Sequence, residues 1–162
     1  MNNIYSEENS QITIDSEDMQ SIPLRIKYKP GAHKLEKTER GDWIDMYTYT
    51  DTFIPKNHFI ILDLGVAIEL PKGYEGILVP RSSTFKRWGL IQANSIGIFD
   101  ETFCGNDDIW GMPVVALRED VFIPKDTRLC QFRILKHQPA IRFVEVEDLG
   151  NENRGGWGSS GQ

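Results

Sequence analysis

Apolar and polar positions alternate along residues 24–28, where Leu24, Ile26 and Tyr28 are separated by Arg25 and Lys27. An extended backbone points successive side chains to opposite faces, so this pattern predicts a strand with one buried face. Lys29, Pro30 and Gly31 end it as a turn. Residues 47–53 are rich in Tyr and Thr, which suit a pleated surface, and read as a second strand. Residues 58–70 are largely apolar and β-branched and stop at Pro71, Lys72 and Gly73. Further strands are predicted over 74–79, 114–117, 129–135 and 141–146. In the third of these, Cys130, Phe132 and Ile134 share one face and Gln131 and Arg133 the other. Residues 82–88 lack alternation, carry Lys86 and Arg87, and predict one short helix with Ser82 or Ser83 near its N-cap. Many short strands between Gly, Pro and Asp turns describe an all-β sandwich or jelly roll.

The two ends differ from this body, residues 21–150. Residues 1–20 are polar and acidic and are expected to form a mobile extension, with a short edge strand around Ile12, Thr13 and Ile14 as the competing reading. Residues 151–162 are glycine-rich around Trp157, the pattern of a flexible C-terminal arm. A large aromatic in such a tail gains nothing from water, which suggests something for it to cover.

The length of 162 residues is that of one domain with one core. No apolar run approaches the ~20 residues of a membrane span, and the N-terminus has no basic region followed by an apolar stretch. A cytoplasmic protein without membrane contact is therefore expected. Cys104 and Cys130 have no CxxC or Cys/His spacing and read as reduced thiols, at least one packed in a strand. The net charge of −6 argues against a general nucleic-acid binder but leaves room for a polyphosphate pocket, which needs only a few local arginines.

Four segments carry candidate chemistry. Pro80, Arg81, Ser82 and Ser83 lie where a strand gives way to a helix, and free N–H groups, a guanidinium and two hydroxyls suit phosphate. Asn94, Gly97, Asp100 and Phe103 recur every third position and Gly105 follows, a hairpin-like pattern in which the carboxylate suits a general base. Arg128 and Gln131 sit on one strand, on opposite faces unless a bulge or strand end intervenes. Arg154, Trp157 and Ser159 lie in the glycine-rich tail, where Arg can pair with phosphate and Trp can stack on a base. Taken singly, each is explained as well by a cap, a turn, a surface strand or a loose terminus.

Their conjunction, in this order, resembles the trimeric dUTPase family over roughly residues 22–162. Gly41-Asp42-Trp43-Ile44-Asp45-Met46 resembles the first family motif, with Asp45 as its acid. Pro80-Arg81-Ser82-Ser83 through Arg87-Trp88-Gly89 resembles the second, and Asn94, Gly97, Asp100, Phe103 and Gly105 the third. Arg128-Leu129-Cys130-Gln131 resembles the fourth, and Gly155-Gly156-Trp157-Gly158-Ser159-Ser160-Gly161 the fifth. The variants are most similar to dUTPases of Bacillus and its temperate phages.

The resemblance implies a jelly-roll-like dUTPase fold, a homotrimer with shared active sites, and Mg²⁺-assisted hydrolysis of dUTP to dUMP and pyrophosphate. Such an enzyme limits uracil in DNA and supplies dUMP for dTMP synthesis. Asp100 would be the general base. Arg81, Ser82, Ser83, Arg154 and Ser159 would hold phosphate. Asn94 and Gly97 would meet uracil, Phe103 deoxyribose, and Trp157 the base from above. Gln131 would act through water, as would Asp45 toward the metal. Phe103 stands where the family has Tyr, Trp157 where it has Phe, and Thr102 and Thr127 where acids are common. Trp110 reads as core, with a lid role as the competing reading. Two rivals remain: the fold-sharing dCTP deaminases, whose catalytic glutamate has only Val115-Ala116-Leu117 as counterpart, and a regulatory protein, since some phage dUTPases bind protein partners.

Overall fold

The computed structural model describes residues 21–39, 41–153 and 155–156. The expectations for residues 1–20, Arg154, Trp157 and Ser159 therefore lie outside the described residues.

Two four-stranded antiparallel sheets make the body. In the first, β1 (Arg25–Tyr28) pairs with β4 (Phe59–Glu69), then β8 (Ile109–Ala116), then β6 (Leu90–Gln92). In the second, β2 (Ile44–Tyr47) pairs with β10 (Arg128–Lys136), then β5 (Tyr74–Pro80), then β7 (Gly97–Phe99). A ribbon of β3 (Thr52–Ile54) and β9 (Val121–Ile123) completes the strands, and α1 (Thr84–Trp88) is the one helix among the described residues.

Alternation is what places the core. Every second residue of β8 is buried, including Trp110, Met112, Val114 and Ala116. These pack in one cluster with Leu62, Val66 and Ile68 of β4 and with Met46, Leu78, Cys130 and Phe132 of the second sheet. Trp110 bridges the sheets: it stacks on Phe99 at 3.9 Å and meets Phe132 edge-on at 5.2 Å between ring centroids. Gly76, opposite Phe99 in the sheet, must be glycine here, because a Cβ would lie 2.6 Å from the Trp110 ring. Trp110 is thus a core residue, as its sequence context suggested. Cys130 is buried in β10 and its thiol is pushed well above the ordinary range, first by burial and then by the charge of Asp45; Cys104 is exposed.

Three sequence expectations are corrected. Residues 47–53 are not one strand: Thr48 turns the chain, its hydroxyl donating to the Pro124 carbonyl at 2.8 Å, so β2 ends at Tyr47 and β3 begins at Thr52. The strand expected over 114–117 is twice as long, beginning at Ile109. Residues 141–146 are not a strand in the described chain; they are exposed, with no neighbouring strand to supply hydrogen bonds. No helix among the described residues is long and apolar enough to cross a membrane.

Candidate functional site

Strand β10 bulges between Arg128 and Cys130. The extra residue, Leu129, buries its side chain and presents its carbonyl to the next loop, where it accepts from the Arg81 N–H at 3.0 Å and the Thr84 hydroxyl at 2.5 Å. The bulge also changes what faces what. In a regular strand Arg128 and Gln131 would point to opposite sides. Here Gln131 lies directly opposite Asp45 across the strand pair, and Arg128 Nη1 donates to Asp45 Oδ2 at 3.1 Å. Arg81 Nε lies 2.9 Å from Asp45 Oδ1.

One carboxylate thus engages two guanidiniums, and the first, second and fourth motifs of the sequence pattern meet around it. All three side chains are partly exposed, so each pair adds little to stability. Its effect is geometric: the contact with Asp45 falls on Nε of Arg81 and ties the loop after β5 to β2. A guanidinium can also pair with an anionic oxygen such as that of a phosphate.

Ser82 and Ser83 follow in the same loop. Ser83 stands at the N-cap of α1 as expected, but its hydroxyl makes no capping hydrogen bond. The helix is five residues long, too short to develop much of a macrodipole, so its N-terminus adds little to the positive charge of Arg81.

A second cluster forms on the other side of β5. The segment expected to be a hairpin is one only in part. β6 and β7 flank the 93–96 turn but belong to different sheets, because the chain crosses the sandwich there. Asn94 is exposed in that turn, and its Oδ1 accepts from Gln92 Nε2 at 3.0 Å. Gly97 is buried; a Cβ would sit 3.1 Å from Leu78 Cβ and 3.4 Å from Gln92 Nε2, so glycine permits the close approach of β7 to β5.

After Phe99 the chain turns, Phe103 N–H donating to the Asp100 carbonyl at 3.2 Å. Asp100 Oδ1 accepts from the Thr102 N–H at 2.8 Å and also from the Thr102 hydroxyl. The Thr102 hydroxyl, then the backbone N–H groups of Thr102 and Phe103 and the charge of nearby His137, hold the Asp100 carboxyl below its usual range. Ile98, Phe99, Asp100 and Phe103 line an open cleft of about 230 Å³. A carboxylate with one oxygen held, at the edge of an apolar cleft, can take a proton from water.

Sequence reasoning did not assign roles to Thr102, Glu101 or Gln92. The Asp-x-Thr spacing, which favours such local turns, was the available signal for Thr102. Glu101 accepts from Gly73 N–H, while Gly73 carbonyl accepts from His137 N–H at 2.9 Å, tying the turn to the end of β10.

The two clusters do not meet within one chain. Phe99 lies opposite Gly76, and Arg81 follows the end of β5, five residues further on. At a rise of about 3.3 Å per residue that separates them by roughly 17 Å. Among the described residues no group of three or more His, Cys, Asp or Glu side chains could cage a metal ion. The position nearest to a deaminase glutamate is Ala116, buried in β8, with no carboxylate.

The dUTPase family model matches residues 32–161. The SPbeta prophage-derived deoxyuridine 5′-triphosphate nucleotidohydrolase YosS of Bacillus subtilis is 50% identical, over 86% of this chain and 99% of that protein. A Staphylococcus phage 80alpha dUTPase, described in terms of enzymatic activity and SaPI induction, superposes with a TM-score of 0.73 at 18% identity, over 85% of this chain and 98% of that one. A phage phi11 dUTPase of S. aureus, described as coordinating a structural Mg(II) ion, gives a TM-score of 0.68 at 16% identity, over 79% and 99%.

Proposed function

The chain belongs to the dUTPase family, and from that premise we propose that it hydrolyses dUTP to dUMP and pyrophosphate, with Asp100 as general base. The observation that carries this reading is the Asp100 carboxylate, exposed, tied through Oδ1 to Thr102 and set beside the cleft of Phe99 and Phe103.

Water attacks the α-phosphorus in line while Asp100 takes its proton. The bond from the α-phosphorus to the bridging oxygen breaks, and pyrophosphate leaves with that oxygen. The chemistry depends on positioning and charge neutralisation. Arg81, Ser82 and Ser83, with Arg154 and Ser159 of the tail, hold phosphate oxygens. Asn94 and the backbone at Gly97 meet uracil, the Phe103 ring presses against deoxyribose, and Trp157 stacks on the base.

The donor set suits a metal carried by the substrate: one carboxylate, Asp45, already bonded to two arginines, fits contact through water better than a protein cage. Mg²⁺ there would neutralise triphosphate charge, with Asp45 and Gln131 orienting its water shell.

Two observations support a homotrimer with shared sites. The clusters around Asp45 and Asp100 lie at opposite ends of β5, so one chain's phosphate-binding side needs another chain's base. Residues 137–153 leave the body as an arm exposing Ile141, Phe143, Val144, Val146 and Leu149, apolar surface suited to a neighbour. The enzyme would act in the cytoplasm, limiting uracil in DNA and supplying dUMP.

The test is pyrophosphate release from dUTP, with and without Mg²⁺, by the wild type and Asp100→Asn, with dCTP, dTTP and UTP as controls. Release from dUTP alone, lost in the variant, is expected. Release by Asp100→Asn at the wild-type rate would remove Asp100 as the base, and ammonia release from dCTP would turn the assignment to deamination.

A further inference from the structure

Gln92 is a buried polar residue, 7% exposed, at the corner where the chain passes from one sheet to the other. It ends β6 in the first sheet, yet its Nε2 donates across the sandwich to the Leu78 carbonyl of β5 at 3.2 Å. The same nitrogen donates to Asn94 Oδ1 at 3.0 Å. Its Oε1 is buried without a hydrogen-bond partner. Apolar packing alone would be served better by a leucine or methionine, which leaves no such orphan.

The orientation of both amides follows from one fixed group. A backbone carbonyl can only accept, so the end of the Gln92 amide facing Leu78 must be the NH₂. That NH₂ can only donate, so Asn94 must turn its oxygen inward and its own NH₂ outward. An asparagine in an exposed turn without this anchor could present either end. The protein therefore offers a donor, and not an acceptor, at the position of Asn94.

Uracil and cytosine differ in this respect at C4: uracil carries an accepting oxygen and cytosine a donating amino group. We propose that Gln92 is a positioning residue that fixes the Asn94 amide as a donor, so that the base site accepts a pyrimidine with a carbonyl at that edge and rejects one with an amino group. Two NH₂ groups facing each other leave both unpaired, whereas a carbonyl satisfies the donor. This rests on the reading that Asn94 meets the base, and the test separates the two.

The readout is the ratio of the inhibition constant of dCTP to the KM for dUTP, measured with Asn94→Ala, Asn94→Asp and Gln92→Met. Asn94→Asp replaces the outward donor by an acceptor, and Gln92→Met keeps length and volume without the donor. All three are expected to lower the ratio about tenfold or more, Asn94→Asp the furthest, with Gln92→Met acting on KM rather than kcat. An unchanged ratio in Asn94→Ala would overturn the assignment of Asn94 to the base. A lowered ratio in both Asn94 variants, with an unchanged ratio in folded Gln92→Met, would overturn the role of Gln92 alone. Side-chain amide NMR of the wild type gives a second reading that needs no variant. The Asn94 NH₂ should shift with dUMP far more than with dCMP, and the Gln92 NH₂ should be protected from exchange; a freely exchanging Gln92 NH₂ would sink the proposal.

Discussion

Arg81 Nε lies 2.9 Å from Asp45 Oδ1, joining the loop after β5 to the middle of β2, and Arg128 holds the other oxygen of the same carboxylate. Replacing Asp45 by Asn keeps the shape, removes the charge and turns an NH₂ toward one guanidinium. Because the pairs are partly exposed, the fold should tolerate this, with little change in melting temperature. The arginines, however, lose their fixed direction, and with them would go the water-mediated support of Mg²⁺ proposed for Asp45. Asp45→Asn is expected to lower kcat/KM for dUTP by about 10–100-fold and to raise the Mg²⁺ concentration needed for half-maximal rate. A pyrophosphate-release assay across a magnesium titration, alongside a thermal melt, checks both.

Thr102 gives a prediction with a definite sign. Its hydroxyl and N–H stabilise the ionised form of Asp100 and hold that carboxyl below its usual range. A base must be ionised to act, so with Asp100 as the proposed base activity should be lost as pH falls through its pKa. Thr102→Val removes the hydroxyl donor, keeps the backbone donor and raises that pKa. The acid limb of the kcat/KM profile should therefore move to higher pH, and Thr102→Ser should restore it. An unmoved acid limb in a folded Thr102→Val protein would confine the threonine to shaping the turn.

How far the sequence carried the reading depends on the range of each interaction. Cys130 and Phe132 inside and Gln131 outside followed from a period of two along one strand, and the structure has them so. The meeting of Asp45 with Arg128 and Gln131 did not, because it depends on pairing between segments far apart in sequence and on a bulge at Leu129, which has no local signature. The fate of residues 141–146 was misread for a related reason: an alternating segment becomes a strand only where a neighbour supplies hydrogen bonds. Gln92 was invisible because its partner, the Leu78 carbonyl, belongs to the other sheet. The Asp100 turn was legible as a turn, and its threonine donors lay within two residues.

Trp110 links stability to the site. Its ring stacks on Phe99 at 3.9 Å, and Phe99 immediately precedes Asp100. Trp110→Ala leaves a cavity between the sheets and should cost about 3–5 kcal/mol by denaturant unfolding. Trp110→Phe keeps a ring against Phe99 and should lose less stability while retaining turnover. A lid residue would behave in the opposite way, with weakened dUTP affinity and near-normal stability in the alanine variant.

The arm makes the strongest claim about assembly. Phe143 is 95% exposed and Leu149 81% exposed on a segment that leaves the body after β10. Single apolar residues on a surface are ordinary, but a run of them on an arm without its own core calls for a partner surface. If that surface belongs to a second copy, one charge in its centre should prevent docking. Phe143→Asp is expected to shift the protein from trimer to monomer in size-exclusion chromatography with light scattering. It should also abolish dUTP turnover without unfolding the β-sandwich, which circular dichroism would report. The expected loss of turnover follows from geometry: with Asp100 and Arg81 roughly 17 Å apart along β5, the proposed base and the proposed phosphate-binding arginine of a lone chain could not serve one ligand. A monomeric Phe143→Asp protein with wild-type kcat/KM would mean that each chain closes its own site.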